Sequence, residues 1–309
     1  MTTSAHRIAY LGPTGTFTEQ ALVSQSDLAQ CDLVPMAKFS DVLQATAGGE
    51  VDFGFVAIEN AIEGTVNVTL DALAFDHELL IQREVVLDIH LHLMARPGTS
   101  LSDIVAVASH PVANAQCRKF LDKELPGAVV RPANSTADAA RSARSEAGLA
   151  AIGPKMAGRA HGLQLLASDI ADHVGNQTRF VLVAPTGVSK STGHDKTTVV
   201  MTQREDHPGS LVAILEEFSA RDINLSRLTS RPVKTSLGQY CFIADLDGHI
   251  ADDVVANALR SIRAKHADVK FLGSYPAAGA GSYEARAEAS AAWVEAGRWI
   301  ESLRTKIIE

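Results

Sequence analysis

Three side chains that could do chemistry stand together in "NQTRF" (176–180), directly before an apolar run. Asn176 can donate and accept hydrogen bonds, the hydroxyl of Thr178 can donate one, and Arg179 can hold a carboxylate. A loop that only leads into a buried strand needs none of these three groups in particular. The segment therefore predicts a polar site at the mouth of a strand.

Four further polar clusters stand at the ends of short apolar runs: "GPTGTFTEQA" (12–21), "IENAIEGTVNVT" (58–69), "SHPVANAQC" (109–117) and "NSTADAA" (134–140). Local structure explains each one singly, because such side chains are typical of helix N-caps and turns. Together with the first segment they can converge on one cleft, since parallel strands end at the same edge of a sheet.

Other reactive arrangements are missing from the sequence. His90 and His92 share one face of a strand, but no third metal ligand is evident. Ser109 and His110 are adjacent, which does not make a nucleophile and its base, and no G-x-S-x-G segment exists. Cys117 fits a small buried hydrophobe. The sequence favours neither a metal, nor a nucleotide, nor a catalytic nucleophile.

The composition excludes several classes of protein. The chain has 309 residues, 46% of them hydrophobic, and a formal net charge of −8 with its basic residues scattered, which argues against nucleic acid as a partner. The start "MTTSAHRIAYLG" lacks the apolar core of a signal peptide, and no run is long enough for a membrane span. Three distant cysteines give no disulfide framework. We expect a soluble cytoplasmic protein.

The secondary-structure elements that must position these clusters can be predicted from the alternation of apolar and amphipathic segments. Residues 6–185 alternate short apolar runs with amphipathic stretches such as 39–47, 113–125 and 136–147, which predicts βαβ units. One long strand-like stretch, 79–97, suits a connection between two lobes. The predicted fold is therefore two α/β lobes around a cleft, as in periplasmic binding proteins.

A second domain is predicted after a small, polar linker at 186–196. Its pattern is βαββαβ, the ferredoxin-like order, within residues 197–276. The strands are predicted near 197–204, 223–231, 238–246 and 269–275, and the helices at 209–221 and 252–266. In the tail, 277–309, the residues from 282 onward form a helical pattern that packs on another element or on a partner chain, with Trp293, Trp299, Ile300 and Leu303.

Taken in order, the polar clusters together with "AAIGP" and "NQTRF" resemble the prephenate dehydratase family. The βαββαβ segment, with "GSLV" (209–212), "INLSRLTSRP" (223–232) and "YCFIADLDG" (240–248), resembles the regulatory ACT domain that follows in that family. The resemblance covers roughly residues 6–276. No helical chorismate mutase module precedes Ile8, so the chain resembles the monofunctional form.

The resemblance implies conversion of prephenate to phenylpyruvate, with loss of water and carbon dioxide, in phenylalanine biosynthesis. Decarboxylation supplies the electrons that expel the hydroxyl, so no cofactor is expected. The resemblance makes Thr178 essential, and we interpret it as a hydrogen-bond donor to the leaving hydroxyl, because an alcohol is too weak an acid to supply the proton. The expected substrate-binding residues are Thr16, Glu59, Asn60, Ser109, His110, Ser135, Thr136, Asn176, Arg179 and Phe180.

Some roles stay open at this point. Glu59 is a source of the proton only if burial raises its pKa. Arg179 either holds a substrate carboxylate or braces its loop. Many family members have Ser or Thr after the Glu-Asn pair, and this chain has Ala61, so a hydroxyl there is not required.

The ACT resemblance implies feedback regulation by L-phenylalanine, bound between units of a homodimer or homotetramer. Its residues would be Gly209, Ser210, Leu211, Val212, Asn224, Leu225, Ser226, Ser230, Arg231 and Pro232. Ser210 replaces the usual Ala and Thr229 the usual Glu, which puts the strength of binding in question. The alternatives are arogenate dehydratase, a non-catalytic solute-binding protein, and an amino-acid sensor with a degenerate first domain.

Overall fold

The computed structural model describes residues 6–205, 207–234, 239–279 and 283–307. Contacts divide the chain into two compact units, Met1–Ala72 with Val85–Leu182, and Leu73–Glu84 with Val183–Glu309. Within the described ranges, no helix is both long enough and apolar enough to cross a membrane.

In chain order the strands are β1 (Arg7–Leu11), β2 (Asp32–Met36), β3 (Phe53–Asn60), β4 (Gly64–Thr65), β5 (Leu80–Asp88), β6 (His92–Ala95), β7 (Ala106–Ser109), β8 (Val129–Pro132), β9 (Leu149–Gly153), β10 (Gln164–Ala167), β11 (Gln177–Ala184), β12 (Asp195–Gln203), β13 (Leu225–Pro232), β14 (Tyr240–Asp247) and β15 (Ala267–Pro276). The α-helices are α1 (Phe17–Val23), α2 (Phe39–Ala47), α3 (Asn67–Asp71), α4 (Pro111–Ala115), α5 (Arg118–Glu124), α6 (Thr136–Ser145), α7 (Lys155–Ala160), α8 (Ser210–Ser219), α9 (Asp253–Lys265) and α10 (Tyr283–Arg304).

Two sheets form the two predicted lobes. The first has the strand order β2-β1-β3-β11-β5, with β4 paired to β3, and β1 runs parallel to both β2 and β3. The second has the order β10-β6-β9-β7-β8, in which β7 is parallel to β8 and β9 while β6 is antiparallel to β9. The predicted two-lobed α/β fold is confirmed.

The long strand-like stretch at 79–97 consists of two strands that belong to different sheets. β5 lies at one edge of the first sheet and β6 lies inside the second, so residues 89–91 carry the chain from one lobe to the other. The chain returns between β10 and β11. The outgoing and returning segments are hydrogen-bonded, Ile89 N to Asn176 O at 2.8 Å and Ile170 N to Leu91 O at 2.9 Å.

An alanine face lets α6 lie close to the second sheet. Ala137, Ala139, Ala140 and Ala143 are all buried, and they share a core cluster with residues of β7 and β9. The strand β9, "LAAIG", is buried along its whole length. Small side chains on both elements shorten the helix–sheet distance, which brings the first turn of α6 to the edge where the strands end.

The βαββαβ prediction for the C-terminal part is also confirmed. Its four strands form an antiparallel sheet in the order β13-β14-β12-β15, and Ile214 and Phe218 of α8 pack with Val255 and Ile262 of α9 in its core. The first strand begins at Asp195 rather than at the predicted 197. Position 238 of the predicted third strand, and positions 282 and 308–309 of the predicted tail helix, lie outside the described residues.

One glycine of β15 is required by a close approach of backbone to backbone. Gly273 has φ +131°, and a Cβ at this position would lie 2.9 Å from the backbone nitrogen of Ile81 and would clash with its carbonyl oxygen. Both neighbouring atoms belong to the main chain of β5, so neither can move aside as a flexible side chain could.

We predict that Gly273→Ala destabilises the protein by about 1–3 kcal/mol, because the added methyl group overpacks the contact with Ile81. The measurement is the melting temperature by differential scanning calorimetry. Gly127→Ala is the matched control, since its Cβ would meet nothing within 4 Å, and it should change stability by no more than about 0.5 kcal/mol. Equal melting temperatures for the two variants would contradict the prediction.

Candidate active site

A cleft of about 1310 Å³ lies between the two lobes. Its lining comes from strand ends and helix starts of both sheets, and from Ile89 and Leu91 of the segment that joins the lobes. The volume slightly exceeds the usual range for pockets that bind small molecules. Every residue that lines the cleft belongs to the first unit, Met1–Ala72 with Val85–Leu182.

Five helices begin at this cleft. It is lined by the residues that precede their first turns: Thr16 (α1), Lys38 (α2), Val66 (α3), His110 (α4) and Ser135 (α6). The N-terminal end of a helix carries partial positive charge and free backbone N–H groups. Lys38 adds a full positive charge. The electrostatics of the cleft therefore favour an anionic small molecule.

Asn60 and Thr178 are in direct contact at the floor of the cleft. Nδ2 of Asn60 donates to Oγ1 of Thr178 at 2.9 Å, while Oδ1 of Asn60 accepts the backbone N–H groups of Ile62 and Glu63 at 3.0 and 2.9 Å. These two N–H groups can only donate, so they fix which end of the amide faces Thr178. The oxygen of Thr178 is thus an acceptor, and its own proton is left to donate elsewhere.

The same polarity continues through two more amides. Nδ2 of Asn60 also lies 2.9 Å from Oδ1 of Asn176, Nδ2 of Asn176 donates to Oε1 of Gln116 at 2.9 Å, and Nε2 of Gln116 donates to Oε1 of Glu63 at 3.2 Å. Gln116 follows α4 in the second lobe, whereas Asn60 and Glu63 belong to the first. The chain of hydrogen bonds therefore joins both lobes beneath Thr178.

Most of the residues expected from the sequence meet in the cleft. Those that line it are Thr16, Asn60, His110, Ser135, Thr136, Asn176, Thr178 and Phe180. Two of them also cap helices, since Thr16 Oγ1 accepts from Glu19 N and Ser135 Oγ accepts from Asp138 N. The carboxylate of Glu19 accepts the backbone N–H of Gly15 rather than that of Thr16, so the reciprocal half of a capping box does not form.

Three expected residues, Ser109, Glu59 and Arg179, lie outside the cleft lining. Ser109 is fully buried and donates to the carbonyl of Ile152 at 2.6 Å, which ties β7 to β9. Arg179 is buried next to Glu59, with Nη1 at 3.5 Å from Oε2. Alternation along β11 explains this arrangement, because Thr178 and Phe180 face the cleft and Arg179 points the other way.

Sequence reasoning missed Gln116, Glu63 and Lys38 as cleft residues. Gln116 and Glu63 stood inside polar clusters that were recognised, but nothing in their spacing shows that a glutamine of one lobe reaches a glutamate of the other. Lys38 looked like an ordinary surface lysine before an amphipathic helix. Its place at a helix start on the cleft follows only from the packing of α2 against the first sheet.

Cys117 and the two histidines are now placed. Burial raises the pKa of the Cys117 thiol to about 12, in keeping with the predicted small hydrophobe. His90 and His92 approach Asp169, which the sequence did not indicate as a neighbour. Over the ranges that the structure describes, no group of three or more His, Cys, Asp and Glu side chains is arranged to hold a metal.

Comparisons with known proteins identify the family of the chain. The chain matches the sequence model of the family Prephenate dehydratase over residues 8–187 and that of the ACT domain over residues 197–264. A prephenate dehydratase of Mycolicibacterium vanbaalenii is 43% identical over 303 residues, covering 93% of this chain and 97% of that protein.

Solved structures give the same result. The crystal structure of prephenate dehydratase from Arthrobacter aurescens, in complex with L-Phe, is 41% identical, with a TM-score of 0.87 and coverage of 97% of this chain and 99% of that chain. GqqA, described as a novel type of quorum quenching acylase, is 25% identical, with a TM-score of 0.77 and coverage of 88% and 98%. On the family matches and these identities, the chain belongs to the prephenate dehydratase family and carries an ACT domain after its dehydratase segment.

Proposed function

We propose that the cleft converts prephenate to phenylpyruvate with Thr178 as the catalytic residue. The observation that carries this role is the hydrogen bond from Asn60 to Oγ1 of Thr178, which leaves the hydroxyl proton free to donate. In the reaction the ring carboxylate leaves as carbon dioxide. Its bonding electrons complete the aromatic ring, and the ring hydroxyl departs as hydroxide.

The developing charge on the departing oxygen is the feature that the enzyme must stabilise. A donor held by Asn60 is already oriented, so no reorganisation is needed when the carbon–oxygen bond breaks. The hydrogen bond from the Asn60 amide also polarises the Thr178 hydroxyl and makes it a stronger donor. The proton that converts hydroxide to water comes from solvent in this proposal. In this proposal Glu59 serves as the ion-pair partner of Arg179 rather than as the proton source. Arg179 supports the loop and does not bind the substrate.

The two carboxylates of prephenate are held by neutral donors together with Lys38. The described lining contains one lysine and two acidic residues, Glu63 and Asp138, so side-chain charge alone does not bind a dianion. The helix starts at Thr16, His110 and Ser135 provide partial positive charge, and the hydroxyls and amides of the lining provide donors.

We predict that Thr178→Val lowers kcat by about 10²–10³-fold with little change in KM, because the variant keeps the β-branched shape but loses the donor. Thr178→Ser keeps the hydroxyl and loses the methyl group that fixes its rotamer, so it should retain a measurable part of the activity. The assay is the formation of phenylpyruvate from prephenate, followed by ultraviolet absorbance. A Val variant that has a normal melting temperature and a kcat within about threefold of the parent would contradict the catalytic role of Thr178.

We predict that Asn60→Asp also lowers kcat by about 10²-fold, although the fold is kept. An aspartate still accepts the N–H groups of Ile62 and Glu63, but its second oxygen takes the proton of Thr178 instead of donating to Oγ1. Asn257→Asp in α9, where Arg260 is the neighbour, is the matched control and should leave kcat unchanged. The idea fails if both variants have the kcat of the parent.

The similarity to an acylase does not favour amide hydrolysis here. That reaction needs a nucleophile activated by a base such as histidine. Within the part of the chain that the structure describes, His110 of the cleft makes no hydrogen bond with a hydroxyl or a thiol. Arogenate, the amino analogue of prephenate, remains the second candidate substrate, and comparing kcat/KM for the two compounds decides between them.

We further propose that L-phenylalanine binds between two copies of the ACT domain. The crystal structure of the Arthrobacter aurescens relative contains L-Phe. In this chain two of the three expected segments stand at opposite ends of α8, since Gly209 precedes the helix and Asn224 follows it. A helix of ten residues is about 15 Å long. A site that uses both segments therefore takes one from each chain of a homodimer.

The edge of the ACT sheet fits such a dimer. β13 is an edge strand of this sheet. Its Leu228 pairs with Ala244 of β14, which is buried in the core formed with α8 and α9. Leu228 itself is nevertheless 42% exposed. Val212 on α8 is 56% exposed. An apolar edge that α8 leaves uncovered is suited to a second copy related by a two-fold axis. The dimer can pair further into a tetramer.

Free cysteines are consistent with a reducing cytoplasm as the location.

We predict that Val212→Glu and Asn224→Ala each abolish phenylalanine binding and feedback inhibition, while basal turnover stays normal. Mixing the two variants after subunit exchange should restore part of the binding, because a heterodimer contains one intact site. The measurement is isothermal titration calorimetry of the full-length chain with L-phenylalanine. A mixture in which no binding returns, although exchange is verified, would show that each chain holds its own site.

A further inference from the structure

A second cavity, of about 790 Å³, lies against the segment that joins the lobes. Side chains alternate along this extended segment: Ile89 and Leu91 line the cleft, whereas His90 and His92 line the second cavity. The other walls are Gln20 of α1 in the first lobe and one face of α7 in the second. The cavity, which we call the rear cavity, therefore touches both lobes and their connection.

His92 presents a hydrogen-bond donor in the rear cavity. The residue is only 3% exposed, and its Nδ1 accepts the backbone N–H of Asp169 at 3.1 Å. A neutral imidazole that accepts at Nδ1 carries its proton at Nε2. No described residue accepts that proton. Burial lowers the pKa of His92 and outweighs the opposing charge of Asp169, and the charge of Lys155 lowers the pKa further. With Nδ1 already accepting a hydrogen bond, the ring is a neutral donor rather than a cation.

Two positive charges stand beside this donor. Lys155 and Arg159 are four residues apart on α7, and both line the rear cavity. Like charges at this spacing repel each other, and neither side chain has an ion-pair partner among the described residues. The nearby carboxylate of Asp169 is engaged by His90, with Oδ1 at 2.7 Å from Nδ1. Asp169 lines the rear cavity too, and the hydrogen bond with His90, helped by the charge of Lys155, lowers the pKa of its carboxyl. The cavity therefore holds two cations against one carboxylate, which leaves it with a net positive charge.

We propose that the rear cavity binds a phosphoryl dianion, either inorganic phosphate or the phosphate group of a small metabolite. Lys155 and Arg159 can each donate to one of its oxygens, and the Nε2 proton of His92 can be donated to a third. A monocarboxylate has only two acceptor oxygens, one fewer than the three donors at Lys155, Arg159 and His92 require. A metal ion does not fit, because Lys155 and Arg159 repel it and Nδ1 of His92 is already occupied.

Gln20 supplies a further contact from the first lobe. Its Oε1 is buried and has no hydrogen-bond donor among the described residues. Because this oxygen is shielded from the cavity, the amide nitrogen is the atom of Gln20 that can donate to a phosphate oxygen. A bound phosphoryl group would then contact α1 and α7 at once, and so would hold the two lobes at a fixed distance.

The test is isothermal titration calorimetry of the full-length protein with sodium phosphate at constant ionic strength. We expect a dissociation constant of about 1 mM or tighter for the parent. Lys155→Gln/Arg159→Gln should weaken it at least tenfold, and His92→Gln at least threefold. Lys119→Gln/Arg144→Gln removes the same charge from exposed positions outside the rear cavity, and it should bind phosphate like the parent.

Two further titrations identify the source of the phosphoryl group. Glycerol 3-phosphate that binds more tightly than inorganic phosphate indicates a metabolite, and the reverse indicates the free ion. Acetate should bind at least tenfold more weakly than phosphate. The proposal is overturned if the parent does not bind either phosphate, if acetate binds equally well, or if Lys155→Gln/Arg159→Gln keeps the affinity of the parent.

Discussion

The backbone N–H groups of Ile62 and Glu63 hold the oxygen of the Asn60 amide, and the polarity of the whole cleft floor depends on this constraint. With its oxygen fixed, Asn60 must donate to Thr178 and Asn176. Asn176 must then donate to Gln116, and Gln116 to the carboxylate of Glu63. The series of hydrogen bonds ends on the side chain of Glu63, whose backbone N–H is one of the two that hold the Asn60 oxygen. No amide in this ring can reverse without breaking two hydrogen bonds, so the orientation of the Thr178 hydroxyl is built into the fold.

Positive potential in the cleft has a different origin, which is the packing of five helices with their first turns at the strand ends. This arrangement needs few full charges, so the cleft can hold a dianion without burying several arginines. The alanine face of α6 contributes directly, because small side chains bring its first turn close to the second sheet. The buried guanidinium of Arg179 forms an ion pair with Glu59 and does not line the cleft.

Local patterns were sufficient to predict the fold, because apolar runs, capping residues and the βαββαβ order act over short distances. The same patterns placed Thr16, Asn60, Ser135 and Thr178 on one cleft. They could not show that Ser109 turns inward to Ile152, since a serine at a strand end is compatible with either face. They also could not place Gln116 against Glu63, because that contact joins residues 53 positions apart in sequence and in different lobes.

The order of strands in the first sheet has a consequence for synthesis of the chain. β11 lies between β3 and β5, although it is made last of the three, after the entire second lobe. The second sheet is complete once β10 has left the ribosome, and it can fold as an insertion between two adjacent strands. The first sheet must wait with an open gap until residue 184 is available. During that interval the facing edges of β3 and β5 are unpaired, and a nascent chain in this state is exposed to aggregation.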